Sequence, residues 1–265
     1  SRAPAVAEEG PQAMEVDDRK RPREEGEQDV DEEMAARLLH EELPRLEVVA
    51  SPGPPFFDEF TGEKLPEDEV IAGLQKEMAS MESMEVFAPL LDSDLLPTDE
   101  VVPSRLLLRR KGAGIVKVRL VAQQLNLGAP ADVYAPAPSS QVVRILLAIA
   151  AMRHWAVQLG DVSCAFPHAE LKVQKRLVLR PPKGLASPHI YWLILKALYG
   201  LRVSPRLYSE WWAELMQKLG LTRCQTEPQM FVHKASGTIL VAHVDDIMMA
   251  GPDEEMARIM EQISE

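Results

Sequence analysis

Two carboxylates stand side by side at Asp245-Asp246, and a third, Asp161, closes a short apolar run far upstream. The pair is preceded by Thr238-Ile239-Leu240-Val241-Ala242 and followed by Ile247-Met248-Met249-Ala250 and Gly251. Two apolar runs of strand length around a short polar break predict a β-hairpin with the acids at its tip. Adjacent carboxylates repel one another and resist burial, so the arrangement costs stability unless a cation sits beside it. Oxygen donors of this kind suit Mg²⁺ or Mn²⁺. The plain alternative is an acidic turn pointing into water. If Asp161 meets the tip, three carboxylates share one site, as two-metal phosphoryl transfer requires. One ion then activates the attacking oxygen and the other holds the leaving group.

The elements that must position these acids can be read from pattern. His154 to Val162 predicts a core strand ending at Asp161, with Phe166 close enough to wall a pocket beside it. Ser139 and Ser140 can cap a helix from Gln141 to about Arg153, and its nearly continuous apolar surface predicts burial on all sides. Val101 to Leu108 and Ile115 to Ala122, joined through Gly112-Ala113-Gly114, predict a hairpin. Lys117 and Arg119 give it one basic face, suited to phosphate or simply solvated. Upstream, Val70 to Met78 is helical in pattern, with Leu74, Met78 and Met81 inward. Strands are expected at Arg176–Leu179 and Tyr191–Leu195. A helix then starts with Ser204 as N-cap and Pro205 in its first turn, carries a Leu207, Trp211, Leu215, Leu219 stripe, and stops at Gly220. Met230–His233 should pair with Thr238–Ala242, and a final helix from about Asp253 should turn Met256, Ile259, Met260 and Ile263 inward. Hairpins mixed with helices, without regular βαβ alternation, make the class α+β.

Charge divides the 265-residue chain. Residues 1–100 carry 9 basic and 28 acidic side chains, whereas residues 101–265 carry 20 and 13, so the net −12 conceals a basic C-terminal part. That balance permits a polyanionic partner. Residues 1–66 read as an acidic, mostly disordered leader, with order beginning near Asp68. Within the leader, Asp31 to Leu46 can form a short amphipathic helix, and Phe56-Phe57 and Phe60 can anchor the leader to the domain at 67–265. The cluster Arg19-Lys20-Arg21-Pro22-Arg23 reads as a nuclear signal or as a solvated patch. Two cysteines, Cys164 and Cys224, without a His/Cys cluster argue against a zinc site or a disulfide framework, and point to a reducing compartment. No apolar run is long enough to span a membrane. The expected location is intracellular, cytoplasmic or nuclear.

Ordered blocks of this sequence resemble the copia-type retrotransposon reverse transcriptase, the polymerase part of a retroelement polyprotein. Lys117 to Ala122 is similar to its fingers block, Val133-Tyr134-Ala135-Pro136 to the segment before its long helix, and Val143-Arg144 to the helix position of its Arg. Asp161-Val162-Ser163-Cys164-Ala165-Phe166 resembles the first catalytic block, and Val244-Asp245-Asp246 the second. Between them, Ala197 to Arg202 with Ser204-Pro205-Arg206 resembles the block that cradles the templating base pair. The resemblance covers roughly residues 68–265. It implies a right-hand polymerase palm and fingers with an antiparallel palm sheet.

The resemblance also implies roles. Asp161, Asp245 and Asp246 would be catalytic, with Asp161, Val162 (through its carbonyl), Asp245 and Asp246 holding two Mg²⁺ or Mn²⁺ ions. Lys117 and Arg119 would hold the incoming dNTP, Phe166 would exclude a 2′-OH, and Tyr199 and Gly200 would line the pocket. Arg202, Arg206 and His243 would touch an RNA or DNA template-primer. The sequence departs from the family in three places. His243 stands where Tyr is usual, Pro167 where an apolar strand-compatible residue is usual, and Gln123-Gln124-Leu125-Asn126 where a Gly-aromatic pair is usual. The chain also ends one helix after the catalytic hairpin, so thumb, primer grip and RNase H are expected to be absent. The alternatives to a working polymerase are an inactive relic and a nucleic-acid-binding fragment without catalysis.

Overall fold

The computed structural model describes residues 55–124, 133–186 and 188–264. The basic cluster at Arg19–Arg23 and the helix expected over Asp31–Leu46 lie outside them. A small hairpin, β1 (Phe56–Phe57) with β2 (Lys64–Leu65), precedes the first helix. It lies within the stretch expected to be leader. Its Phe56 and Leu65 are buried in the first core, while Phe60 is exposed beneath the Arg109 guanidinium, 4.7 Å from its ring centroid. Asp58 ties the hairpin loop down: the amides of Phe60, Thr61 and Arg110 all donate to its carboxylate.

Helix α1 (Glu67–Ser83) buries Val70, Leu74, Met78 and Met81 at helical spacing, as the pattern predicts. After β3 (Phe87–Leu91) come the long strands β4 (Glu100–Gly112) and β5 (Ile115–Ala122), the predicted hairpin. With β7 (Leu177–Arg180) and β8 (Ile190–Ile194) they form a sheet ordered β3-β8-β7-β4-β5. All its pairings are antiparallel except β4–β7, which is parallel. Helix α1 packs on β5, and Gly73 sets the close approach. A Cβ there would overlap the Val116 carbonyl oxygen and lie 2.9 Å from Val118 Cγ2.

The second sheet is fully antiparallel, in the order β6-β12-β11-β10-β9. Its strands are β6 (Ala156–Asp161), β9 (Leu221–Arg223), β10 (Met230–His233), β11 (Ile239–His243) and β12 (Asp246–Gly251). Helix α2 (Ser140–Arg153) covers one face, where Val142, Leu146 and Ala150 meet Ile239, Val241 and Ala250. Helices α3 (Ser204–Lys218) and α4 (Asp253–Ser264) contribute Tyr208, Trp212, Met216, Met256 and Ile259 to the core around Phe231, Leu240 and Met249. Sheet residues of opposite parity thus face different helices, which explains why β11 is apolar from Ile239 to Ala242.

Four sequence expectations need correction. Helix α2 is not buried all round: Ile145, Leu147 and Met152 are exposed, because only its sheet-facing stripe is covered. Strand β6 is not a core strand but the edge of its sheet, and Leu159 is 69% exposed. Ser204 does not cap α3; Val203 is the cap residue, and the buried Ser204 hydroxyl exchanges hydrogen bonds with the Leu198 backbone. The buried stripe of α3 is Leu207, Tyr208, Trp212 and Met216 rather than Leu207, Trp211, Leu215 and Leu219. Adjacent Trp211 and Trp212 fit either frame, and the sheet selects the second.

Candidate active site

The predicted acidic hairpin forms. His243 and Asp246 are the last paired residues of β11 and β12, so Val244-Asp245 makes a two-residue turn. Such turns normally place glycine at a positive-φ position. Here Val244 takes it, with φ 56°. A β-branched residue in the left-handed region costs of order 1–3 kcal/mol, a kind of strain found preferentially at functional sites.

The turn meets the end of β6. Asp246 lies directly opposite Asp161 across the β12–β6 ladder. Beyond that pair, the Val162 amide donates to the Asp245 carbonyl at 2.7 Å, locking the turn to the strand end. Residues directly opposite one another project from the same face with Cβ atoms about 4.5–5.5 Å apart, and like charges there destabilise. Asp161 and Asp246 are exposed and Asp245 half-buried. Among the described residues no three His, Cys, Asp or Glu side chains converge to hold a metal ion. The donor chemistry nonetheless suits a hard divalent cation: Asp161 and Asp246 stand opposite one another across the ladder, Asp245 is next in sequence, and the Val162–Asp245 hydrogen bond ties the strand end to the turn.

A basic strand and a ladder of rings flank the acids. The Arg119 guanidinium lies 4.6 Å from the Tyr199 ring centroid. Tyr199 meets Phe166 edge-on at 4.8 Å, and Phe166 meets Tyr208 edge-on at 5.8 Å. Burial raises the Tyr199 phenol, against the pull of Arg119. Burial, with Asp245 next in effect, holds the Tyr208 phenol well above its ordinary range. Lys117 is lowered by burial and by neighbouring Arg119 and Lys111, opposed by Glu77 and Asp161. Gly200, with φ +88°, presses so close to β5 that a Cβ would overlap the Ala122 carbonyl oxygen. The Ala122 amide donates to Tyr199 O at 2.8 Å, joining the ring segment to the basic strand.

A family model described as reverse transcriptase (RNA-dependent DNA polymerase) matches residues 101–264. The chain belongs to the reverse transcriptase family. It is 30% identical over 148 residues to the retrovirus-related Pol polyproteins from transposons RE1 and RE2 of Arabidopsis thaliana. Each match covers 52% of this chain and 10% of the relative, so the chain spans about a tenth of the length of those curated relatives. The resemblance to a retrotransposon reverse transcriptase is borne out.

In this reverse transcriptase domain, the remaining predicted residues are placed as follows. Arg206 makes a two-pronged contact with Glu210 at 2.8 and 3.1 Å, one helical turn on. Arg202 is half-exposed just before α3, and His243 is exposed at the last ladder position. Pro167 sits in a one-turn 3-10 helix at Phe166–His168, a setting that suits proline. Among the described residues no helix is long and apolar enough to cross a membrane.

Three residues of the site were missed from sequence. Glu77, on the α1 face that Gly73 brings close, accepts from the Leu120 amide at 3.0 Å and interacts with Arg119 and Lys117. Its four-residue spacing from Gly73 was the available signal. Tyr208 closes the ring ladder. Gln124 crosses from β5 to the Tyr199 segment, and its departure from the family pattern marked it.

Proposed function

We propose that this chain carries the fingers and palm of a copia-type RNA-directed DNA polymerase that adds deoxynucleotides to a primer 3′-OH. The observation that carries the reading is the register placing Asp161 opposite Asp246, with Val162 bonded to Asp245. On this reading the sheet ending in the acidic hairpin is the palm and the β4–β5 hairpin belongs to the fingers. The domain is preceded by an acidic leader.

Asp161, Asp245 and Asp246, with the Val162 carbonyl, would hold two Mg²⁺ or Mn²⁺ ions. Bound there, the ions supply activation of the attacking hydroxyl and neutralisation of the departing pyrophosphate. The protein's own groups do the rest. Arg119 and Lys117 donate charge-assisted hydrogen bonds to the triphosphate. Tyr199 steadies Arg119 from below and Phe166 from the side. The Phe166 ring fills the space a 2′-OH would need. Gly200 keeps the pocket floor flush with β5. Arg202, Arg206 and His243 face the template-primer.

A second reading, nucleic-acid binding without catalysis, is favoured by the three carboxylates standing side by side without converging. Primer extension on oligo(dT)·poly(rA) separates the two. The polymerase reading expects Mg²⁺- or Mn²⁺-dependent incorporation of dTTP that Asp245→Asn abolishes. Salt-sensitive RNA–DNA binding with no incorporation, unaffected by chelating the metal, selects the second.

A further inference from the structure

Gln124 stands where the sequence departs from its family, and it is the residue best placed to couple two halves of the nucleotide pocket. Its carboxamide is used at both ends. Oε1 accepts the Arg202 amide at 2.9 Å, and Nε2 donates to Glu100 Oε1 at 2.8 Å. It continues a row of ties at the end of β5: the Ala122 amide to Tyr199 O, then the Gln123 amide to Pro103 O at 2.7 Å. The segment Tyr199–Arg202 is therefore pinned to the basic strand at its first residue by backbone and at its last by Gln124. Between the pins lies Gly200, seated on the Ala122 carbonyl. The pinned segment carries Tyr199, whose ring lies under Arg119 and against Phe166. A glycine or aromatic side chain at position 124 has no carboxamide with which to make this bridge.

We infer that Gln124 is a positioning residue for nucleotide selection. By holding the Arg202 amide and Glu100 together it fixes Tyr199 against both Arg119 and Phe166. Its loss loosens triphosphate binding and sugar discrimination without touching the carboxylates. This inference rests on the polymerase reading.

The test compares wild type, Gln124→Ala, Gln124→Glu and the exchanged pair Gln124→Glu with Glu100→Gln. The single Gln124→Glu change keeps an acceptor for the Arg202 amide but sets two carboxylates together. The exchanged pair restores one donor opposite one acceptor. Two readouts are taken: amide exchange of the 199–206 peptide, and steady-state incorporation of dTTP and UTP. For Gln124→Ala the expected result is about three- to tenfold faster exchange and a similar rise in KM for dTTP. Its kcat should stay within about twofold and its preference for dTTP over UTP should fall, and the exchanged pair should recover both readouts. Unchanged exchange in Gln124→Ala overturns the inference. Faster exchange with unmoved KM and unmoved sugar preference also overturns it, leaving a purely structural tie. A wild type that incorporates nothing overturns the polymerase reading and the inference together, and is recognised because it precedes any comparison of variants.

Discussion

Replacing Gly200 with alanine should cost the fold about 2–5 kcal/mol, and the two sources can be measured apart. The backbone at Gly200 has φ +88°, where an L side chain costs roughly 1–2 kcal/mol. The new Cβ would also overlap the Ala122 carbonyl oxygen and approach Val121 Cγ1 to 2.7 Å. Forcing extra volume into a packed site costs about 1–3 kcal/mol more. Gly114 is the natural control, because it too has positive φ (+74°) but a Cβ there meets nothing within 4 Å. At roughly 2–4 °C per kcal/mol for a domain of this size, Gly200→Ala should melt about 4–20 °C below wild type. Gly114→Ala should fall only about 2–8 °C. Thermal melts followed by circular dichroism, with the two variants side by side, read the difference. Equal melting temperatures would refute the claim that the Tyr199 segment is seated on the end of β5.

Asp161→Asn removes one of two opposed carboxylates, so without metal it should stabilise by about 0.2–1 kcal/mol. The order should reverse in millimolar Mg²⁺, and the same sign of ΔTm with and without the ion would contradict this. Burial raises the Glu77 carboxyl above its ordinary 4.5, so its favourable contribution is complete below about pH 4.5 and is lost as pH rises through the raised value. Urea denaturation should therefore show Glu77→Gln gaining on wild type as the pH is raised above about 4.5; stabilities that stay parallel as the pH rises would rule it out. Asp58 is held at about 2, chiefly by the Arg110 amide and then by those of Thr61 and Phe60. Its contribution is full above about pH 3.8 and vanishes as pH falls through about 2. Asp58→Asn should flatten the acid limb of the stability curve in that window, and an unchanged limb would sink the assignment.

Local signals were legible. The periodicity of α1, the Ser139 cap on α2, whose hydroxyl accepts from the Val142 amide, and the Gly-containing turn between β4 and β5 all depend on neighbours in sequence. The acidic hairpin was legible for the same reason, although its tip is Val244-Asp245 and not the two acids. The errors arose where distant segments decide. Nothing in residues 140–153 says that only one face of α2 will be covered. Nothing near Asp161 says that β6 lies at a sheet edge. The stripe on α3 was ambiguous because Trp211 and Trp212 serve either face equally. Of the site, the carboxylates and the basic strand were visible by residue type. Glu77 and the bridging role of Gln124 were not, since each depends on accepting a hydrogen bond from a backbone amide more than 40 positions away.

The central claim is that the register of β6 against β12 makes Asp161 and the hairpin acids one metal-binding unit. Counting bound Mn²⁺ by electron paramagnetic resonance, with dTTP and a primer-template present, tests it most directly. Wild type should bind two ions, and Asp161→Asn and Asp245→Asn should each lose binding at both. Unchanged stoichiometry and affinity in Asp161→Asn would contradict the account, because the strand end and the hairpin would then act separately.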